Sequence, residues 1–309
     1  MRIRLVYHLL AISLVYGCGS EPAAVDQTFT TGVMKILVDE SFEPIIEDQI
    51  YVFENTYTKA KIEALYKPET ELLNLFLSDS VRIAVLSREL KPEEARFYES
   101  KKIKIRVNRF AIDGIALITH RSNVDSTVQV DDILNTLQGN PGRIKSLVFD
   151  NANSSTVRYL KELAAVKTLP STGVYAMKSN PEVIRYVHEH PGVIGVVGVN
   201  WLKHPETELE GIVKELKVIA VKNVPGKKGA DNFYKPTQSN IALGLYPLTR
   251  DLYIINCQGR PGLGSGFASF LAGDIGQRIV LKSGLVPDSI PPREIIIRKQ
   301  IKIEPDGND

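Results

Sequence analysis

Apolar and polar residues alternate in blocks along the chain, and the blocks predict strands and helices in turn. Residues 33–38 form an apolar run, followed by Asp39-Glu40-Ser41 and then Phe42-Glu43-Pro44-Ile45-Ile46. That order predicts a strand, a tight turn and a helix capped by serine. Residues 81–86 predict a second strand that ends in Ser87-Arg88, and residues 92–100 a charged helix. Two more strands, 103–107 and 115–119, are expected on either side of Asp113-Gly114. Residues 144–149 repeat the first arrangement: a strand, then Asp150-Asn151-Ala152-Asn153-Ser154-Ser155-Thr156, then an amphipathic helix over 157–165. Beyond it come a helix over 181–189, a strand over 193–199, a strand-rich return over 212–221 and an exposed loop over 222–238. Strands alternating with helices imply an α/β architecture, and there is no solenoid repeat or heptad run.

A length of 309 residues is enough for two domains. Hydrophobic residues make up 43% and charged residues 24%, which excludes fibrous and disordered classes. The formal charge is +2, from 38 basic and 36 acidic residues. Removing residues 1–17 takes away Arg2 and Arg4 and no acid, so the remainder balances at 36 against 36. A neutral body carries no nucleic-acid footprint.

The first residues have an export pattern: Arg2 and Arg4, an apolar run over 5–15, and Gly17 before Cys18. The run is shorter than the roughly 20 residues that cross a bilayer. Val15-Tyr16-Gly17-Cys18 resembles a bacterial lipobox, with Tyr16 in place of the usual small residue. The resemblance implies cleavage before Cys18 and a lipid on its thiol; an ordinary cleaved signal and a buried strand or helix are the alternatives. Residues 19–31, small and polar, are expected to be a tether. With Cys18 lipidated, Cys257 is the only thiol left, so no intramolecular disulfide is expected.

The two strand-to-helix turns carry the candidate chemistry. A helix start offers unpaired N–H groups and a positive dipole end, and hydroxyls at Ser41, Ser154, Ser155 and Thr156 add donors for a small oxyanion. The same residues would also serve as plain helix caps.

Further along, the chain resembles the periplasmic phosphate-binding proteins, the solute-binding components of phosphate ABC importers, over about residues 33–290. The resemblance rests on Leu245-Tyr246-Pro247-Leu248-Thr249-Arg250-Asp251-Leu252-Tyr253, on Gly276-Gln277-Arg278-Ile279-Val280 and on Ser283-Gly284-Leu285-Val286-Pro287. Ser87-Arg88-Glu89-Leu90, Asp113-Gly114 and Pro191-Gly192-Val193-Ile194-Gly195 resemble further family turns in the same order. It implies a two-lobed periplasmic binding protein fold of type 2, each lobe a mixed sheet flanked by helices, with crossovers near Asp113 and Tyr246. It also implies ligand-binding roles for Ser41, Phe42, Thr70, Ser87, Arg88, Asn153, Ser154, Ser155 and Thr156.

Two family ligands are altered: Asp150 stands where the family has arginine, and Arg82 where it has an acid. Arg88 and Arg158 are the guanidinium candidates in their place, with Arg158, one turn into its helix, expected to face solvent. Asp39, Glu40, Glu69 and Asp150 then bring carboxylates close to the supposed anion site, and like charges a few ångströms apart cost on the order of kcal/mol. Either some point away, or the cleft is rebuilt for a ligand with amine or hydroxyl donors.

Weaker candidates receive structural readings: His188-Glu189-His190 as a solvated helix end, residues 262–266 as a flexible glycine loop, and Trp201 as packing. No nucleophile and base pair is recognisable, so no enzymatic activity and no cofactor are expected.

The expected layout is a signal peptide (1–17), a lipidated cysteine and tether (18–32), one lobe (33–112 with 246–300) and a second lobe (113–245). The expected function is capture of phosphate or a similar oxyanion for an ABC permease, on the periplasmic side, anchored by lipid to the outer membrane. A non-transport lipoprotein acting as sensor or assembly module, with its ligand changed or lost, is the first rival. A hydrolase of phosphorylated substrates is the second.

Overall fold

The computed structural model describes residues 27–289. The export segment, Cys18 and most of the expected tether lie outside them.

The elements run in order β1 (Gly32–Asp39), a 3₁₀ turn (Glu40–Phe42), α1 (Glu43–Thr56), β2 (Ala60–Lys67), α2 (Glu69–Leu77), β3 (Ile83–Leu86) and α3 (Pro92–Ser100). Next come β4 (Arg106–His120), β5 (Thr127–Gln129), α4 (Val130–Leu137), β6 (Leu147–Phe149), α5 (Ser155–Leu163), β7 (Val174–Ala176), α6 (Asn180–Glu189) and β8 (Ile194–Gly198). The chain then continues through α7 (Val199–Lys203), α8 (Glu210–Lys214), β9 (Leu216–Val218), β10 (Ala220–Lys222), α9 (Gln238–Ala242), β11 (Thr249–Asn256), α10 (Leu263–Ala272), α11 (Asp274–Lys282) and β12 (Val286–Pro287).

The main sheet runs β2-β1-β3-β11-β4-β8-β6-β7, with β9 and β12 also pairing with β4. β1 is parallel to β2 and β3, and β11 lies antiparallel between β3 and β4. β8 is antiparallel to β4, and β6 is parallel to both β7 and β8. Each half is therefore a mixed sheet covered by helices, with its own apolar interior. Phe42, Phe53, Phe110 and Phe267 anchor one core of lobe 1, and Phe76 and Tyr98 a second. In lobe 2, Phe149, Leu160 and Tyr246 pack on one face and Val183, Val187 and Trp201 on the other.

Several expectations change. The two strands expected around Asp113-Gly114 are one continuous strand, β4, whose first part pairs with β11 and whose second part pairs with β8. Asp113 does not interrupt it because its carboxylate is held by an arginine on the neighbouring strand. The second passage between lobes falls at Leu248, whose carbonyl accepts Ile115 N, while Tyr246 donates its hydroxyl to the Ile115 carbonyl. The strand-rich return begins instead with the short helix α8.

The glycine stretch 262–266 opens helix α10 rather than a loop. Its glycines permit close approach: a Cβ on Gly264 would lie 2.1 Å from Ile83 Cδ1, and one on Gly266 1.8 Å from the Phe29 carbonyl oxygen. The described end of the expected tether, around Phe29, is thus packed on α10. Among the described residues no helix is long and apolar enough to cross a membrane.

Candidate interlobe cleft

The C-terminal ends of β1 and β6 meet at the lobe junction, where an α/β sheet of changing strand order leaves a crevice. The turn after β1 supplies Asp39, Ser41 and Phe42, and the turn after β6 supplies Asp150 and Ser154. Ser41 was expected to cap a helix. Asp39 does so instead, accepting Ser41 N on Oδ1 at 3.0 Å, which releases the Ser41 hydroxyl to donate across the junction to Asp150 Oδ2 at 3.3 Å. Ser154 caps α5 by accepting Val157 N, and donates its own hydroxyl to Asp150 Oδ1 at 2.5 Å. Asn180 Nδ2 gives Asp150 a third donor at 3.2 Å.

Ser155 and Thr156 face a partner that the sequence reading did not assign to the site. Arg250, near the start of β11, donates from Nη1 to Ser155 Oγ at 3.0 Å and to Thr156 Oγ1 at 3.2 Å. Its Nε and Nη2 lie 3.1 and 3.0 Å from Asp113 Oδ2, and its guanidinium sits 4.5 Å above the Phe42 ring. Arg250 lay inside the Tyr-Pro segment that carried the resemblance; only its distance in sequence from the two turns concealed it. Asn200 Nδ2 and Trp201 Nε1 both donate to the Ser41 carbonyl, at 3.2 and 3.0 Å, so Trp201 fixes the opposite lobe as well as packing.

The remaining candidates form a rim. Thr70 donates its N–H and hydroxyl to the Asn153 carbonyl, the only atom Asn153 brings to the junction. Arg88 is held by Glu69 at 3.3 Å and Glu94 at 2.8 Å. Arg158, expected in solvent, turns inward instead: Nε lies 2.6 Å from Glu69 Oε1 and Nη2 donates to Ser87 Oγ at 2.9 Å. The buried Glu69 carboxylate draws it there. Arg82 pairs with Asp79 at the far end of β3 and takes no part.

None of the inner carboxylates points away. Asp39, Asp113 and Asp150 are completely buried. Burial pushes Asp39 up from 3.8 to about 6, with Arg250 and Ser155 opposing and Glu69 reinforcing the shift. Glu40 rises to about 8, first through burial and then through the charges of Asp150 and Asp39. Asp150 is raised by burial against the pull of its donors. Several polar atoms here have no hydrogen-bond partner: Asp39 Oδ2, Glu40 Oε1, Asn180 Oδ1, Asn200 Oδ1 and Asp113 Oδ1.

The histidine pair at the end of α6 has a structural role, His190 stacking on Tyr186 with ring centroids 3.9 Å apart. No group of three or more metal-ligating side chains occurs among the described residues. Cys257 is free and buried, its thiol pushed up to about 12.

Two α/β lobes sharing a strand, with polar turns from both facing each other across the junction, define the clamp of a periplasmic binding protein. The sequence model of the PBP superfamily domain matches residues 22–274, and the chain belongs to that superfamily. Among solved structures it resembles a phosphate ABC transporter substrate-binding protein with bound phosphate from Clostridium perfringens. That likeness has a TM-score of 0.67 and 19% identity, over 84% of this chain and 100% of that one. An ABC-type phosphate transport receptor from Vibrio cholerae matches with a TM-score of 0.62 and 16% identity, over 83% and 100% of the two chains. The regulatory domain of CcmR from Synechocystis, in complex with 2-PG, matches with a TM-score of 0.51 and 13% identity, over 78% and 96%. At these identities the likeness is one of fold. No curated protein sequence matches the chain.

Proposed function

We propose that the chain is a lipid-anchored solute-binding protein. It captures a small solute between its lobes on the periplasmic side and presents the closed form to an ABC permease. The observation that carries this reading is the set of direct bonds across the junction: Ser41 to Asp150, Arg250 to Ser155 and Thr156, and Thr70 to Asn153. Such bonds form only on closure, so a solute that touches both lobes shifts the hinge toward a shape that a permease recognises. The phosphate-type oxyanion implied by the sequence resemblance is supported by the Arg250 guanidinium at the start of α5 and by the named ligand of a fold relative. Nothing in the cleft points to a nucleophile and its base, which supports binding without turnover.

A second reading, a non-transport lipoprotein acting as sensor or assembly module, is favoured by Asp150. That carboxylate occupies the hydroxyls of Ser41 and Ser154 that an oxyanion would need. Calorimetric titration of the full chain in mild detergent, together with amide hydrogen exchange, separates the two. Under the transport reading a small solute gives saturable heat and slows exchange of the Thr70 amide, which bonds across the junction. If no solute alters either signal, the second reading replaces the first.

A further inference from the structure

The unpartnered acceptors come from both lobes and converge on one place. Asp39 Oδ1 holds Ser41 N, Asp150 Oδ2 holds Ser41 Oγ and Asn180 Nδ2, and Asn200 Nδ2 holds the Ser41 carbonyl. Every one of these groups is thus within two hydrogen bonds of Ser41. Because the amide nitrogens of Asn180 and Asn200 are fixed by their acceptors, the oxygens Asn180 Oδ1 and Asn200 Oδ1 must be acceptors too. Both lack a donor, as does Asp39 Oδ2, and the three residues are at most 2% exposed. Glu40 Oε1, next in the chain to Ser41, adds a fourth. A buried acceptor without a donor costs about 1–3 kcal/mol, so the arrangement is complete only when a donor-rich group enters.

Charge points the same way. The donors around Asp39 and Asp150 are all neutral, and the one buried guanidinium, Arg250, is paired with Asp113. The rim arginines are held by Glu69 and Glu94. A dianion would add like charge to two buried carboxylates, whereas a monocation would offset them. A metal ion held by carboxylates does not fit, because no group of three or more suitable side chains occurs among the described residues.

We infer that the cleft takes a small organic solute bearing a primary ammonium group, whose N–H bonds go to Asp39, Asn180 and Asn200 around the Ser41 turn. This rests on the clamp reading above and changes only the ligand class within it. Selection is by donors as well as charge, because a quaternary ammonium of similar size has no N–H to offer these oxygens.

The test is calorimetric titration of the full chain in mild detergent with ethanolamine, choline, inorganic phosphate and sulfate. Saturable binding of ethanolamine, with choline at least tenfold weaker and both oxyanions silent, is the expected result. Asp39→Asn should weaken ethanolamine at least tenfold while the chain still melts cooperatively. Should that variant fail to fold, Glu40→Gln, on a partly exposed residue, gives the same reading with a smaller loss. Phosphate binding with ethanolamine silent overturns the inference and leaves the clamp standing. Equal binding of choline and ethanolamine, or unchanged affinity in a folded Asp39→Asn chain, also overturns it. Silence of all four solutes overturns both the inference and the transport reading on which it rests.

Discussion

Asp113 and Asp150 are both fully buried at the lobe junction, yet their surroundings differ in kind. Asp113 has a guanidinium 3.0 Å away, and Arg250 pairs with it while also reaching across to α5. Asp150 has three donors and all of them are neutral. Asp39 beside it has a single backbone N–H. Two regions a few residues apart thus handle the same chemical problem differently. At the hinge the chain compensates its own carboxylate; in the cleft it leaves carboxylates without a counter-charge. The hinge is finished as folded, and the cleft is finished only by something that arrives.

The largest effect should come from breaking the finished half. Arg250→Met leaves Asp113 buried without a counter-charge and removes two bonds between lobes, so a loss of about 3–5 kcal/mol is expected in urea unfolding. The unfinished half should respond in the opposite direction. Folded Asp39 keeps its proton up to about pH 6, whereas the unfolded chain releases it near 3.8. Stability is therefore greatest below about pH 4 and falls as the pH rises to about 6, by roughly 3 kcal/mol for this one group. Asp39→Asn should remove that slope and raise stability at pH 7, by about 1–2 kcal/mol, in thermal melts across pH. A slope that persists in the variant would assign it to Glu40 or Asp150.

Smaller still, Arg158→Ala loosens the rim at Glu69 and Ser87, and about 1 kcal/mol is expected because the side chain is partly exposed. Ser154→Ala together with Thr156→Ala costs about 1 kcal/mol for the lost cap, with a clear drop in ligand affinity. Unchanged affinity would show that the α5 start is not part of the site.

Much of the frame was legible in the sequence. β1, α3, α5 and α6 fall close to where periodicity and capping residues put them, because each carries its own local signal. The unity of β4 was not legible: Asp113-Gly114 reads locally as a turn, and only Arg250, more than a hundred residues on, makes a buried aspartate acceptable in a strand. The helix at 263 was hidden for a similar reason, its glycines being required by Ile83 and Phe29. In the site, the hydroxyls and the suspicious acids were visible as residue types. Which acids would be paired was not, since Arg158 was expected in solvent and Arg250, Asn180 and Asn200 were not assigned to the site. Pairing depends on which turns face one another, and that is decided by the sheet.

The place of β11 has a consequence for the order of assembly. It is the eleventh strand in sequence, yet it lies between β3 and β4 in the sheet. A chain emerging from its amino terminus therefore carries lobe 1 as a sheet with a central slot, which stays open until residues 249–256 have been delivered. Lobe 2, by contrast, draws its sheet from one uninterrupted stretch from β4 to β10. Domains that are continuous in sequence close their contacts sooner than those that wait for a distant strand. The lobe begun first is thus the one completed last, and the chain cannot close its clamp before nearly all of it has left the machinery that makes it.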